Sequence, residues 1–242
     1  MQGAQIQQEI QQLKVDLVKA VRMLERARIL DMNGHLSSRA PGDDRFYINA
    51  RSASRASLTV QDITCCNLDG DALAGETEPP SEVHIHAAIY RRRPEVNAVI
   101  HSHPHWQTVL GIAGQTMQPV YSIGAFAGNC PVFEKSSLVN TPEMAEELAQ
   151  VLGNRCMVEI RHHGNVLVGP GIREVFVASI YLEENAKKQY HASLLNPNFH
   201  VLSGENLQRT RETNWTPSIV QKAWHYHEEK ARLAGIFNDM WE

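Results

Sequence analysis

Apolar residues recur at Ile6, Ile10, Leu13, Leu17, Val21, Leu24 and Ala27, the three- and four-residue spacing of a helix with one buried face. The chain is therefore predicted to open with an amphipathic helix over 5–30, ending near "DMNG". The pattern then shortens. "FYIN" and "DITCCNL" read as strands, with "DGDA" as a hairpin turn after the second. In "TEPPSE" the prolines suit a helix entry, Ser81 can cap it and Glu82 favours its positive end, so a helix is predicted as far as 92, before Pro94. "VNAVI" is a strand, Pro104 opens a helix through 112, and "QPVYSI" and "CPVF" are further strand candidates. "TPEMAEELAQVLG" has a Thr cap and a Gly stop and reads as a helix. Strands "CMVEIR" and "NVLVG" and a long helix over about 172–194 follow. "LLNPNF" is a natural break. The expected organisation is a main domain over 1–195 and a C-terminal arm over 196–242 that ends in the helix "SIVQKAWHYHEEKARLAGIF".

Composition narrows the possibilities. The 242 residues, 43% hydrophobic, can bury a sizeable core. No apolar run reaches the ~18 residues of a membrane span and "MQGAQIQQEI" has no apolar signal region, so the reading is a cytoplasmic protein without a membrane partner. With 23 basic and 27 acidic residues, and no long block of either sign beyond Arg91, Arg92 and Arg93, nothing points to nucleic acid. Cys65, Cys66, Cys130 and Cys156 lack C-x-x-C spacing and read as reduced thiols. Seven of the twelve histidines fall in three short clusters, at 84–86, 101–105 and 162–163.

In "NAVIHSHPHW", His101 and His103 stand two apart at the end of an apolar strand, so both imidazoles project from one face and can close on one ion. The plainer alternative is a strand end that happens to carry histidines. "IRHHGNVLVG" offers a third ligand in His163, followed by Gly164, which would let the backbone turn sharply and leave the site open. His162 reads as a surface or supporting histidine. Glu82 in "PPSEVHIH" is a candidate fourth ligand, or else a first-turn Glu complementing the helix dipole. His86, one helical turn on, either orients Glu82 or sits satisfied in the core.

"PSEVHIHAAIYRRRPEVNAVIHSHP" followed sixty residues later by "HHG" resembles the class II aldolase and adducin-head family, whose pattern is S-E, a downstream His, H-x-H-P and a later His-Gly. The resemblance covers about 8–195, including "NGHLSSR" and "SLTVQDI". It implies an α/β fold: three α/β/α layers around a mixed, mostly antiparallel sheet, here with a C-terminal helical arm. It also implies one divalent metal ion held by His101, His103 and His163, with Glu82 as ligand, acid/base group, or both. Mn2+ or Zn2+ is expected, with Co2+ or Fe2+ also compatible. Three neutral imidazoles leave the ion's charge largely intact, as suits stabilising an enolate when a carbon–carbon bond breaks.

Sugar-phosphate members of the family grip phosphate with a G-N-x-S turn, a Ser-Gly turn and a Ser-Ser pair. Here "GHLSSR" puts His35 in place of the Asn, "NARSASRAS" replaces the Ser-Gly turn, and Pro80 replaces the first Ser of the pair. Proline supplies neither a small side chain nor a free N–H for a phosphate cradle. Arg51 and Arg55 instead offer planar forks suited to carboxylate, with solvated loop arginines as the alternative. The candidate substrate contacts are His35, Ser37, Arg51 and Ser81. His35 also resembles the branch of the family acting on aromatic or heteroaromatic acids, including hydroxypyridine- and dihydroxyphthalate-type decarboxylases. The expected function is a metal-dependent decarboxylase of a hydroxylated aromatic or heteroaromatic carboxylate. The alternatives are an aldolase on a small hydroxy-keto or sugar-derived substrate and a metal-free, adducin-head-like interaction module. Family members often form symmetric tetramers whose C-terminal segments approach a neighbour's pocket. A homo-oligomer, with a tetramer as the expected size, is therefore implied, and Tyr226 in "KAWHYHEEKARL" becomes a candidate proton donor there; packing of the arm onto the body is the alternative use of Trp224 and Tyr226.

Overall fold

The computed structural model describes residues 2–241. Helix α1 (Gln2–Arg26) leads into strands β1 (His35–Arg39), β2 (Arg45–Asn49) and β3 (Ile63–Asn67). Helix α2 (Val83–Arg92), strand β4 (Ala98–Ser102) and helix α3 (His105–Ile112) follow. After β5 (Val132–Phe133) and α4 (Pro142–Leu152), the hairpin β6 (Met157–Ile160) and β7 (Gly164–Gly169) leads into α5 (Ile172–Leu195), α6 (Gly204–Asn214) and α7 (Pro217–Leu233). The seven strands form one sheet in the order β3-β2-β1-β4-β7-β6-β5, antiparallel except for the parallel pair β5 and β6. Residues alternate between its two faces. Leu36, Ala98, Ile100 and Leu167 pack in the cluster that includes α1, α5 and α7, and Ile48, Val99, Val158 and Val166 in the cluster that includes α2 and α4. The fold is thus three layers around a mixed sheet, as expected. No described helix is long and apolar enough to cross a membrane.

Several local expectations are corrected. Helix α1 stops at Arg26, and Arg28 takes a left-handed φ of 60°; Ile29 and Leu30 remain buried, so the apolar rhythm outlasts the helix. Ser81 does not cap α2: Glu82 occupies the N-cap position, with no side-chain cap bond. Strand β1 went unpredicted because its inward positions include His35 and Ser37, which are buried but polar. "QPVYSI" is not a strand. The amides of Val120 and Tyr121 donate to Asn185 Oδ1, and that of Gln118 to Gln189 Oε1, so side chains of α5 take the bonds a neighbouring strand would have taken. Helix α6 has no buried residues and hence no apolar rhythm to betray it.

The C-terminal segment is tied into the body. Trp224 of α7, 1% exposed, meets the Phe176 ring edge-on at 5.2 Å, and the buried Arg22 of α1 donates to the carbonyls of Leu58 and Ile236, each at 2.6 Å. Arg22 also pairs with Asp239.

One buried charge stands apart from the rest. Glu159 of β6 lies against Gly111 of α3, where an added Cβ would come within 2.2 Å of the carboxylate. Burial pushes its carboxyl up to about 7, with Arg161 pulling the other way. The native state therefore holds this proton more tightly than an unfolded chain with a value near 4.5. The stability it contributes is full below that value and is lost as pH rises through about 7. Glu159→Gln should flatten the pH dependence of thermal unfolding across this window and raise the Tm at pH 8 by a few degrees, for ~1 kcal/mol or more. An unchanged pH profile in the variant, followed by circular dichroism, would contradict this.

Candidate metal centre

The sheet register assembles the site. His35 of β1 stands opposite His101 of β4, and alternation turns His101 to the α2 side of the sheet along with Val99. His103 continues from the strand end toward the same point. His163 arrives from the β6–β7 turn, and Glu82 from the start of α2. The rings of His101, His103 and His163 stand 4.9 to 5.0 Å apart by centroid. Their ligating atoms all lie within 4.8 Å of one another, as do those of a second group, His35, Glu82 and His101.

The tautomers of two rings follow from their partners. His101 Nδ1 lies 2.9 Å from the carbonyl of Asn165, which can only accept, so Nδ1 carries the hydrogen. His103 Nδ1 lies 3.0 Å from Asp31 Oδ2. Burial opposes the Asp31 charge, but the bond from His103 and the amides of Asn33 and Gly34 outweigh it and hold this carboxyl below its ordinary value. His103 therefore also donates from Nδ1. With a single hydrogen on each ring, both Nε2 atoms are lone pairs, and they face each other at 3.1 Å. Two lone pairs at that distance repel unless a cation or a proton lies between them. Donor atoms around a tetrahedral ion with ligand bonds of 2.0–2.1 Å stand about 3.3 Å apart, so the donor set fits a divalent ion. Glu82 Oε2 lies 3.4 Å from His101 Nε2 and 4.0 Å from His163 Nε2. His163 Nδ1 is buried without a partner among the described residues.

Glu82 is 4% exposed, and its Oε1 accepts from the Val139 amide at 2.9 Å. Burial raises its carboxyl, but contact with His101, the Val139 amide and the neighbouring His163 outweigh it and bring it down to about 2. Burial, aided by His101, lowers His163 to about 4, which keeps that ring neutral and its nitrogen available.

The turn geometry corrects one expectation. Gly164 does not make the turn: His162 does, with a φ of 59°. Gly164 is instead required for close approach, since a Cβ there would lie 2.2 Å from the Ser102 carbonyl oxygen and 2.9 Å from the His103 ring.

A cavity of about 580 Å³ opens over the cluster, lined among others by His35, Arg51, Arg55, Pro80, Ser81, Glu82, His103, His162 and His163. Arg51 is exposed and paired with Glu78 at 2.7 Å. Arg55 is buried and donates to the carbonyls of Gly34, Ala50 and Ala53, bracing the loop. Ser37 does not line the cavity; it lies a layer deeper, bonded to His86 and Tyr90. His86 bonds to His35 and Ser37 and makes no hydrogen bond to Glu82. Tyr226 is 63% exposed on α7 and does not line this cavity within one chain. Sequence reasoning missed Asp31, whose Oδ1 accepts from Asn33 and Gly34 and reads in the sequence only as a turn residue, and it missed Tyr90.

Residues 15–190 match the family model described as Class II Aldolase and Adducin N-terminal domain. Among curated proteins, a 3,4-dihydroxyphthalate decarboxylase of Arthrobacter keyseri is 29% identical over 181 residues, 68% of this chain and 72% of that one. An L-fuculose phosphate aldolase of Methanocaldococcus jannaschii is 27% identical over 179 residues, 72% of this chain and 93% of that one. Among solved structures, an L-fuculose 1-phosphate aldolase from Glaciozyma antarctica superposes with a TM-score of 0.84 at 22% identity, covering 98% of this chain and 94% of that one.

The close approach at Gly164 makes a prediction independent of any ligand. Gly164→Ala must push the β4 backbone away, so it should destabilise the protein by ~1–3 kcal/mol or more. Urea unfolding measures this, and an unaltered midpoint would show that β4 and β7 have room to spare.

Proposed function

The chain belongs to the class II aldolase and adducin N-terminal domain family, and from that membership we propose that it is a divalent-metal-dependent carbon–carbon lyase. We propose further that it is a non-oxidative decarboxylase of a hydroxylated aromatic or heteroaromatic carboxylic acid. The observation that carries the metal is the pair of Nε2 lone pairs facing each other at 3.1 Å, with Glu82 Oε2 3.4 Å from one of them.

His101, His103 and His163 would hold the ion, with Glu82 at the fourth position or beside it; Mn2+ or Zn2+ suits imidazole and carboxylate donors, and Co2+ or Fe2+ is compatible. When bound, the ion supplies Lewis-acid stabilisation of the electron pair that the breaking carbon–carbon bond leaves on the substrate. Glu82 handles the proton. Its Oε1 is occupied by the Val139 amide, which leaves Oε2 to take the hydrogen of a ring hydroxyl. As CO2 departs, Oε2 returns that hydrogen to the ring carbon; the carboxylate is then ionised again and the oxygen of the product is reprotonated from water. Charged and polar groups at His35, Arg51 and Ser81 along the cavity would receive carboxylate oxygens, with the buried Arg55 bracing the loop behind them. Ser37 would act through His86 rather than by contact. Pro80 in the cavity wall disfavours a phosphate cradle, and the decarboxylase relative at 29% identity supports the same reading.

Aldol cleavage of an unphosphorylated hydroxy-keto substrate is the second reading, favoured by an aldolase relative at nearly the same identity, 27%. The metal-free interaction module has less support, since all four ligand candidates converge. The proposal includes a cytoplasmic homo-oligomer, with a tetramer as its expected size, in which the exposed Tyr226 completes a neighbour's cavity.

The purified protein should carry about one divalent ion per chain, and the His101→Ala, His103→Ala double variant should lose it while remaining folded. Full metal occupancy in that variant would end the metal assignment. Glu82→Gln should lower CO2 release from hydroxy-aromatic acids by roughly 10²–10⁴-fold. If sugar phosphates inhibit tightly and hydroxy-aromatic carboxylates do not, the aldolase reading replaces the decarboxylase. Light scattering tests the assembly, and a monomer of full activity would remove Tyr226 from the site.

A further inference from the structure

Behind the cavity runs a line of polar groups that the proposed chemistry does not use. His35 and Ser37 lie two apart on β1, and His86 and Tyr90 four apart on α2, so each pair faces the other across the helix–sheet interface. None of the four is more than 1% exposed. His35 Nδ1 lies 2.7 Å from His86 Nε2, His86 Nδ1 lies 2.6 Å from Ser37 Oγ, and Ser37 Oγ lies 2.8 Å from the Tyr90 hydroxyl. The Val99 carbonyl lies 3.5 Å from Ser37 Oγ.

We infer that His35 presents an Nε2–H donor to the cavity, fixed in that form by the chain Tyr90 to Ser37 to His86, and that it binds a substrate oxygen and not the metal ion. Both rings are buried and bond only to each other and to Ser37, with no carboxylate as hydrogen-bond partner, so a charge on either would go unpaired and each ring has one hydrogen to place. In one direction Tyr90 donates to Ser37, Ser37 to His86 Nδ1, and His86 Nε2 to His35 Nδ1. Every hydrogen then meets an acceptor at 2.6 to 2.8 Å, and the hydrogen of His35 is left on Nε2. In the other direction His35 donates to His86 and His86 to Ser37. The Ser37 hydrogen must then go either to the Tyr90 oxygen, which strands the phenol's own hydrogen, or to the Val99 carbonyl at 3.5 Å. That distance lies well outside the 2.5–3.0 Å of an ordinary O–H···O bond. A buried hydroxyl hydrogen left unpaired biases the equilibrium on the order of tenfold or more toward the first direction.

The consequences are chemical. A nitrogen that carries a hydrogen offers no lone pair, so of the two groups able to hold an ion, His35, Glu82 and His101 cannot close as a ligand set, and His101, His103 and His163 can. His35 can donate to a carboxylate or phenolate oxygen but cannot take a proton from it, which leaves proton transfer to Glu82. The inner end of the chain does not supply protons, because burial raises the Tyr90 phenol. Ser37, His86 and Tyr90 are therefore positioning residues. The choice of acceptor on the substrate rests on the proposed function; the tautomer does not.

The test is a long-range 1H–15N correlation spectrum of the full-length chain labelled with [15N]histidine, metal-free and zinc-loaded, with His35→Gln and His86→Gln used for assignment. Both His35 and His86 are expected as Nε2–H in both states. An Nδ1–H pattern for either ring, or a His35 Nε2 signal that becomes metal-bound on adding zinc, would overturn the inference. Ser37→Ala should let the second tautomer of His86 appear, and an unchanged spectrum would show that the chain does not set the ring. In chelator competition, His35→Gln should hold zinc within about threefold of the parent, whereas His103→Ala should lose roughly 100-fold or more; equal losses would make His35 a ligand. If the parent chain binds no zinc, the proposed function fails, and the metal-free spectrum still decides the tautomer.

Discussion

Two hydrogen bonds govern the centre of this molecule: His101 Nδ1 to the Asn165 carbonyl and His103 Nδ1 to Asp31. Each removes one of the two choices an imidazole has, and together they turn two nitrogen lone pairs on each other at 3.1 Å. The arrangement is unfavourable on its own and favourable around a cation. Much of the surrounding fold holds it in place. β4 is paired on both sides, with β1 and β7, which fixes the strand that carries His101. Gly164 lets β7 come close enough for His163 to reach the same point, and the left-handed backbone of His162 aims it there. Glu82 is locked from the far side by the Val139 amide. Rigidity of this kind would keep these side chains in place for the proposed ion, so that little reorganisation would oppose its binding.

A second constraint acts on the same strands. The α2 side of β1 and β4 carries His35, Ser37 and His101 in place of an apolar row, yet these positions are fully buried. A buried polar group is tolerated only with its partners in place, and the helix meets the need: Glu82, His86 and Tyr90 follow one another at four-residue steps along the face of α2 that meets the sheet. The apolar packing around them, from Phe46, Ile85, Ile89 and Val99, excludes the water that would otherwise satisfy these groups and blur their tautomers. Packing thus determines the chemistry by determining which hydrogens have somewhere to go.

This explains which features could be read from the sequence. The apolar repeat identified α1, a Thr cap and a Gly stop identified α4, and apolar runs identified β2, β3, β4, β6 and β7, where most inward residues are hydrophobic. β1 escaped for the opposite reason: its inward residues belong to the polar network. The H-x-H spacing and the distant His-Gly gave the ligand candidates, since strand alternation is a local property. Asp31, the Asn165 carbonyl and Tyr90 were illegible, because their roles depend on contacts across 72, 64 and 53 residues of chain that no local pattern encodes. The turn role expected of Gly164 failed for a similar reason: what excludes a side chain there is the backbone of β4, sixty residues earlier.

The charges divide into two sorts. The rings of His35, His86 and His163 are driven neutral by burial, so they contribute dipoles and lone pairs but no positive charge. Glu82 alone is held ionised in the interior of the site, and it has no arginine or lysine as partner among the described residues, only the Val139 amide and the nearby His101 ring. A buried carboxylate so situated is a strong attractor for a divalent cation, and the neutral imidazoles around it offer ligation without repelling the ion. An ion bound there would in turn have its charge only partly compensated by one carboxylate. The remainder would be available to an anionic substrate, as the proposed function requires. Arg51, already paired with Glu78 at the rim, would add to that field weakly by comparison, because its charge is exposed and screened.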